Sequence, residues 1–124
     1  MTNKRILIID DEADIREATQ MCLEITGEWD VIVASSGYEG LAKAAAEKPD
    51  AILLDIMMPG MDGLTTMQKL RENAATSQIP IILLTAKAQS GEQRQFSQLD
   101  IVALITKPYD PYSLSDQISQ ALTR

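Results

Sequence analysis

The sequence predicts a doubly wound α/β domain, with a five-stranded parallel sheet in the order 2-1-3-4-5 and five helices on its faces. Five short runs are rich in β-branched and aliphatic residues and nearly continuous in hydrophobicity, as strands covered on both faces are. Segments with apolar residues at helical spacing separate those runs in strict alternation, which calls for right-handed crossovers between parallel strands. With 124 residues and 45% hydrophobic content there is enough chain for one core and too little for two. Residues 1–124 are therefore read as a single domain without linker, repeat or low-complexity tail.

The elements follow in order. Arg5 to Ile9 is the first strand. Ile15, Ala18, Cys22 and Ile25 then fall on one helical face, and that helix stops near Gly27. Asp30 to Ala34 is the second strand. Ser36 and Glu39 form a capping box ahead of Leu41, Ala42 and Ala45, and Pro49 ends the helix. Ala51 to Leu54 is the third strand, and Asp62 caps a helix carrying Leu64, Met67 and Leu70. Ile81 to Leu84 is the fourth strand. The fourth helix spans Ala88 to Leu99, with Gly91 near its start and only Phe96 and Leu99 as large apolar anchors, so its local stability is expected to be low. Val102 to Ile105 completes the sheet. Asp110 as N-cap, Pro111 at the first helical position, and Leu114, Ile118, Ala121 and Leu122 make the last helix. Cys22 and the methionines are read as core filler on apolar faces.

Composition excludes several functions. Eleven Lys and Arg against 18 Asp and Glu give a net charge of -7, which repels phosphate backbones and anionic membrane surfaces. Direct nucleic-acid or membrane binding is not expected. A single cysteine cannot form an internal disulfide, and the first residues contain too short an apolar run for a signal peptide or membrane span. A cytoplasmic protein is expected. Histidine is absent altogether, which removes Ser-His and Cys-His nucleophile pairs, His-based zinc sites and imidazole general bases. Any chemistry must rest on carboxylates, hydroxyls and amines.

In doubly wound sheets, functional groups gather where strands end at their carboxyl edge. The residues there are Asp10 and Asp11 after strand one, Asp55 after strand three, Thr85 after strand four and Lys107 shortly after strand five. If strands one and three are neighbours, Asp10, Asp11 and Asp55 converge, and crowded carboxylates either raise one another's pKa or recruit a cation. An all-oxygen donor set favours Mg²⁺. With an amine from Lys107 and a hydroxyl from Thr85 opposite, the set suits phosphoryl transfer to a carboxylate. Singly, each residue has a plainer reading: a solvated turn for Asp10-Asp11-Glu12, an Asx turn for Asp55, a strand-end β-former for Thr85, a surface amine for Lys107.

Four motifs, IIDDE, LLDIMMPGMDG, LLTA and TKP, stand in the order and spacing of a known family. Over its full length the chain resembles the receiver domain of two-component response regulators, which has a flavodoxin-like fold. The resemblance implies that Asp55 accepts a phosphoryl group from a phosphohistidine on a histidine kinase or phosphotransfer protein, giving an acyl phosphate. It implies that Asp11, Asp55 and the backbone carbonyl of Met57 bind Mg²⁺ directly, with Asp10 acting through water. Lys107 would contact the phosphoryl group, Thr85 would move to hydrogen-bond it, and Lys107-Pro108 would be cis. Output would come from a partner protein or from an output domain outside this sequence. Such a module is no enzyme beyond catalysing its own phosphorylation and dephosphorylation.

The resemblance departs at Leu104, where the family carries Phe or Tyr. Without that ring, the signal is expected to pass through Thr85 and reordering of Ala88 to Leu99. Met57 and Lys87 occupy positions that influence attack of water on the acyl phosphate, and a bulky apolar Met57 implies slow dephosphorylation. Two other readings compete. A Mg²⁺-dependent phosphohydrolase with an aspartyl nucleophile would usually carry a second acid where Met57 stands. A flavin-binding protein would have a phosphate-cradling loop after strand one, where DDEAD stands instead.

Overall fold

The computed structural model describes residues 4–26, 29–56, 58, 60–85, 101–106 and 111–122. In chain order these form β1 (Lys4–Ile9), α1 (Ala13–Thr26), β2 (Trp29–Ala34), α2 (Gly37–Glu47), β3 (Ala51–Asp55), α3 (Gly63–Glu72), β4 (Ile81–Thr85), β5 (Ala103–Thr106) and α4 (Pro111–Leu122). The strands make one sheet in the order β2-β1-β3-β4-β5, every pair parallel, as expected. Four helices are described; the helix expected over Ala88 to Leu99, and the Asp110 cap, lie outside the described residues.

Period-two alternation sorts the strand residues into two cores. Leu7, Ile9, Ile52, Leu54, Ile81 and Leu83 point to one face, where Ala44, Met67 and Leu70 cover them. Ile6, Ile8, Leu53, Ile82 and Leu84 point to the other, beneath Leu23, Leu114, Ile118 and Ala121. This explains the continuous hydrophobic runs, since both faces of the central strands are roofed. Each fully buried Leu or Ile contributes on the order of 1.5–3 kcal/mol relative to exposure.

The last two helices match their expected faces, whereas α1 and α2 correct theirs. In α1 the buried residues are Thr19 and Leu23, while Ala18 and Ile25 are exposed and Ile15 and Cys22 half-buried. Thr19 tolerates burial because its hydroxyl donates to the Ile15 carbonyl at 2.8 Å. Met21 is exposed, so it is not core filler. In α2 the buried residues are Gly37, Gly40 and Ala44, with Leu41 half-buried and Ala42 exposed. Gly40 lies there because its Cα approaches Ile9 of β1: a Cβ would come within 2.8 Å of the Ile9 Cγ1.

Both predicted N-caps in the first half of the chain form. Ser36 Oγ accepts from Glu39 N at 3.1 Å, and Glu39 reaches back to the N–H of Ser35, one residue before the cap. Asp62 Oδ1 accepts from Thr65 N at 2.8 Å. The C-terminus of α2 turns at Lys48, in the left-handed conformation at φ 47, before Pro49. Among the described residues no helix is long and apolar enough to cross a membrane.

Candidate functional site

The sheet register brings the acidic residues together. Ile9 of β1 pairs with Leu54 of β3, so the next residues, Asp10 and Asp55, leave the sheet side by side at its carboxyl edge. Asp10 N donates to the Ala34 carbonyl at 3.1 Å, extending the pairing of β1 with β2 by one residue. The Asp10 side chain then turns the chain: its Oδ1 accepts from Glu12 N at 3.0 Å, an Asx turn that delivers Asp11 to the same edge and leads into α1. Arg16 reaches back from α1, its Nη1 donating to the Asp10 carbonyl at 2.8 Å.

Asp55 is the last residue of β3 and stands opposite Leu84 of β4. Ile56 N donates to the Leu84 carbonyl at 3.1 Å, so the strand direction holds past the aspartate. The Ile56 carbonyl accepts from Gly63 N at 2.9 Å, which pins the start of α3 against the same segment. A Cβ at residue 63 would lie 2.6 Å from the Ile56 Cα and nearer still to the Asp55 carbonyl, so only glycine fits without a shift.

One carboxylate oxygen from each of Asp10, Asp11 and Asp55 lies within 4.8 Å of the others. Asp10 and Asp55 are almost wholly buried at 1% exposure each, and Asp11 is half-buried. Among the described residues, the buried Oδ1 of Asp11 has no hydrogen-bond donor. Anionic oxygens crowded this closely, away from water, repel one another unless a cation shares them. The donors are all hard oxygens, the set that suits Mg²⁺ and other oxygen-seeking divalent ions. The three residues thus fit a metal.

Thr85, the last residue of β4 and 3% exposed, stands one position beyond the residue opposite Asp55, and pairs with Thr106 of β5. Leu104 is half-buried, opposite Leu83, and packs against the core cluster that holds Leu54 and Ile56. Four of the sequence-predicted residues, Asp10, Asp11, Asp55 and Thr85, therefore share one sheet edge. Met57, Lys87, Lys107 and the Lys107-Pro108 bond lie outside the described residues. Sequence reasoning missed the positioning roles of Arg16 and Gly63. Gly63 was visible only as part of a helix start; its approach to Ile56, seven residues earlier, arises only when the chain folds back and leaves no pattern of residue types.

The sequence model described as "Response regulator receiver domain" matches residues 6–119. The chain is 39% identical over 122 residues to the alkaline phosphatase synthesis transcriptional regulatory protein PhoP of Bacillus subtilis, covering 98% of this chain and 50% of that one. It is 38% identical over 124 residues to the phosphate regulon transcriptional regulatory protein PhoB of Pseudomonas aeruginosa, covering 100% of this chain and 54% of that one. Among solved structures it superposes on the chemotaxis response regulator CheY4 of Vibrio cholerae with a TM-score of 0.88 at 27% identity, covering 97% and 99% of the two chains. The chain spans about half the length of the curated relatives it matches.

Proposed function

The chain belongs to the response regulator receiver domain family, and from that premise we propose that Asp55 is the residue that carries its phosphoryl group. The family's function, accepting a phosphoryl group in two-component signalling, is the function of this chain. The observation that carries the assignment to Asp55 is the convergence of three carboxylates within 4.8 Å at the carboxyl edge of the sheet. Of these, Asp55 alone ends a strand in the middle of the sheet, with β1 on one side and β4 on the other.

The donor is a phosphohistidine on a histidine kinase or phosphotransfer protein, since this chain has no histidine of its own. An Asp55 oxygen attacks phosphorus, the P–N bond breaks, the imidazole leaves, and an acyl phosphate remains on Asp55. Asp11, Asp55 and the Met57 carbonyl would hold Mg²⁺ directly, with Asp10 acting through water. When bound, the ion supplies positive charge against the oxygens of the transferring group. The Lys107 amine would contact the phosphoryl group and offset its charge, and the Thr85 hydroxyl would hydrogen-bond a phosphoryl oxygen once the group has arrived. The buried Asp10 turn and the Arg16 contact hold the acidic edge in place during the transfer.

Output passes to a partner protein or to an output domain of a longer chain. The test separates a module from an enzyme. Incubated with an excess of a small acyl phosphate and Mg²⁺, the protein should gain one phosphoryl group by intact mass and consume donor slowly. Gain should vanish with chelator. Rapid release of phosphate over many turnovers would instead favour the phosphohydrolase reading.

A further inference from the structure

Gly37 and Gly40 stand in the first turn of α2, although alanine would favour a helix at either position. Neither adopts a left-handed φ, so contact and not backbone conformation calls for them. A Cβ on Gly37 would collide with Thr66 Oγ1 and press on Met61, whose Sδ and Cβ would lie at 3.1 and 3.2 Å. A Cβ on Gly40 would collide with Ile9, the residue before Asp10, with Cδ1 nearest and Cγ1 at 2.8 Å. The turn therefore bears on both arms of the acidic edge. Through Ile9 it meets the segment that leads into Asp10 and Asp11. Through Met61 and Thr66 it meets the start of α3, where Gly63 N donates to the Ile56 carbonyl beside Asp55.

Pairing between β1 and β3 ends at Ile9 and Leu54, one residue short of Asp10 and Asp55. The sheet register alone does not fix the span between the acids. The turn that bridges them is well held: Gly40 N donates to the Ser36 carbonyl at 2.9 Å, and Glu39 accepts from Ser35 N at 2.9 Å. Thr66 is held too, wholly buried with its hydroxyl donating to the Asp62 carbonyl at 2.8 Å. Granting that this edge holds Mg²⁺, we infer that Gly37 and Gly40 are positioning residues that set the span between the Asp10–Asp11 arm and the Asp55 arm. That span makes the site prefer Mg²⁺ to the larger Ca²⁺. Mg²⁺ demands short, regular oxygen distances, whereas Ca²⁺ accepts longer and more variable ones. A methyl group at residue 37 displaces the start of α3, which is joined to the Asp55 segment; one at residue 40 displaces Ile9 and with it Asp10. Either shift costs Mg²⁺ more than Ca²⁺.

Calorimetric titration with MgCl₂ and, separately, with CaCl₂ compares wild type, G37A, G40A, T66A and G37A/T66A. In G37A and in G40A, Mg²⁺ binding weakens by about tenfold or more, as disturbing the residues behind metal ligands does, and the preference for Mg²⁺ over Ca²⁺ falls with it. T66A removes the atom that a methyl group at residue 37 would strike, while the Asp62 carbonyl keeps the N–H of residue 66 at 3.0 Å. T66A alone unpacks the contact without crowding it and lowers the preference by a smaller factor. G37A/T66A regains most of the wild-type preference, because the added methyl group fills the space that the hydroxyl leaves. S115A is the control for stability alone, since Ser115 bonds Trp29 at the start of β2, away from the acidic edge. It unfolds more easily and keeps the wild-type preference. If G37A does not fold, T66A and the double variant decide the question. Wild-type Mg²⁺ binding with an unchanged preference in T66A, a double variant no better than G37A, or an equal loss of preference in S115A would each overturn the inference. Absence of Mg²⁺ binding by wild type would overturn the Mg²⁺ site beneath it as well.

Discussion

Gly63 donates its N–H to the Ile56 carbonyl at 2.9 Å and leaves no room for a side chain between α3 and the segment that follows Asp55. The nearest obstacles to a Cβ are backbone atoms of Asp55 and Ile56, which cannot swing aside as a flexible side chain would. Gly63→Ala should therefore cost about 1–3 kcal/mol, as overpacking in a close-fitted site does. It should also slow phosphoryl uptake, because relief requires the Asp55 backbone to move. Urea unfolding and initial phosphorylation rates measure the two effects.

Asp62 caps α3, and its acceptance of the Thr65 N–H holds its pKa below the ordinary 3.8. A carboxyl group with a lowered folded pKa stabilises above its unfolded value. That contribution is present above about pH 3.8 and is lost as pH falls through the lower folded value. Asp62→Ala should cost about 1 kcal/mol at neutral pH. Asp62→Asn should keep most of the cap and remove its acid dependence. Denaturant melts at neutral pH and below pH 3 check both.

How far the sequence could be read turns on such local and non-local causes. The strands, their order, the Ser36 and Asp62 caps and the acidic edge were legible, because each leaves a short-range signal of hydrophobic runs, cap residues or strand-end acids. The inward faces of α1 and α2 were not. Large apolar residues are expected in the core, yet Thr19 is buried with its hydroxyl satisfied, and Gly37 and Gly40 are buried because side chains of Met61 and Thr66, and of Ile9, pack directly against their backbone. The stripe Ala18, Met21 and Ile25 shows the converse: apolar periodicity that faces water. At the site, the acids could be named from strand ends, while the grip of Arg16 on Asp10 and the fit of Gly63 against Ile56 depend on contacts between separate elements.

Lys48 closes α2 in the left-handed region, at φ 47 and ψ 63. A side chain with a Cβ pays for that conformation, and glycine does not. Lys48→Gly should raise stability by about 0.5–1 kcal/mol after the entropy of the unfolded glycine is counted. The N–H of residue 48 continues to donate to Ala44, so the helix end is kept. Thermal unfolding would show the gain as a higher Tm with unchanged phosphoryl uptake.

The only tryptophan, Trp29, donates its indole N–H to Ser115 Oγ at 3.2 Å, tying the start of β2 to α4 across 86 residues of chain. Both side chains are buried. Ser115→Ala would leave a buried donor without its acceptor, at about 1–3 kcal/mol. Urea unfolding followed by the emission of this single indole reports the loss directly.

The central claim is that Asp55 carries the phosphoryl group. The direct measurement phosphorylates the protein with an acyl phosphate donor and Mg²⁺, reduces the acyl phosphate with borohydride, and locates the converted residue by peptide mass spectrometry. The account predicts conversion at Asp55 and none in Asp55→Asn under the same conditions. Conversion at Asp10, Asp11 or any other residue of the wild-type protein, or phosphorylation of Asp55→Asn at the wild-type level, would contradict it.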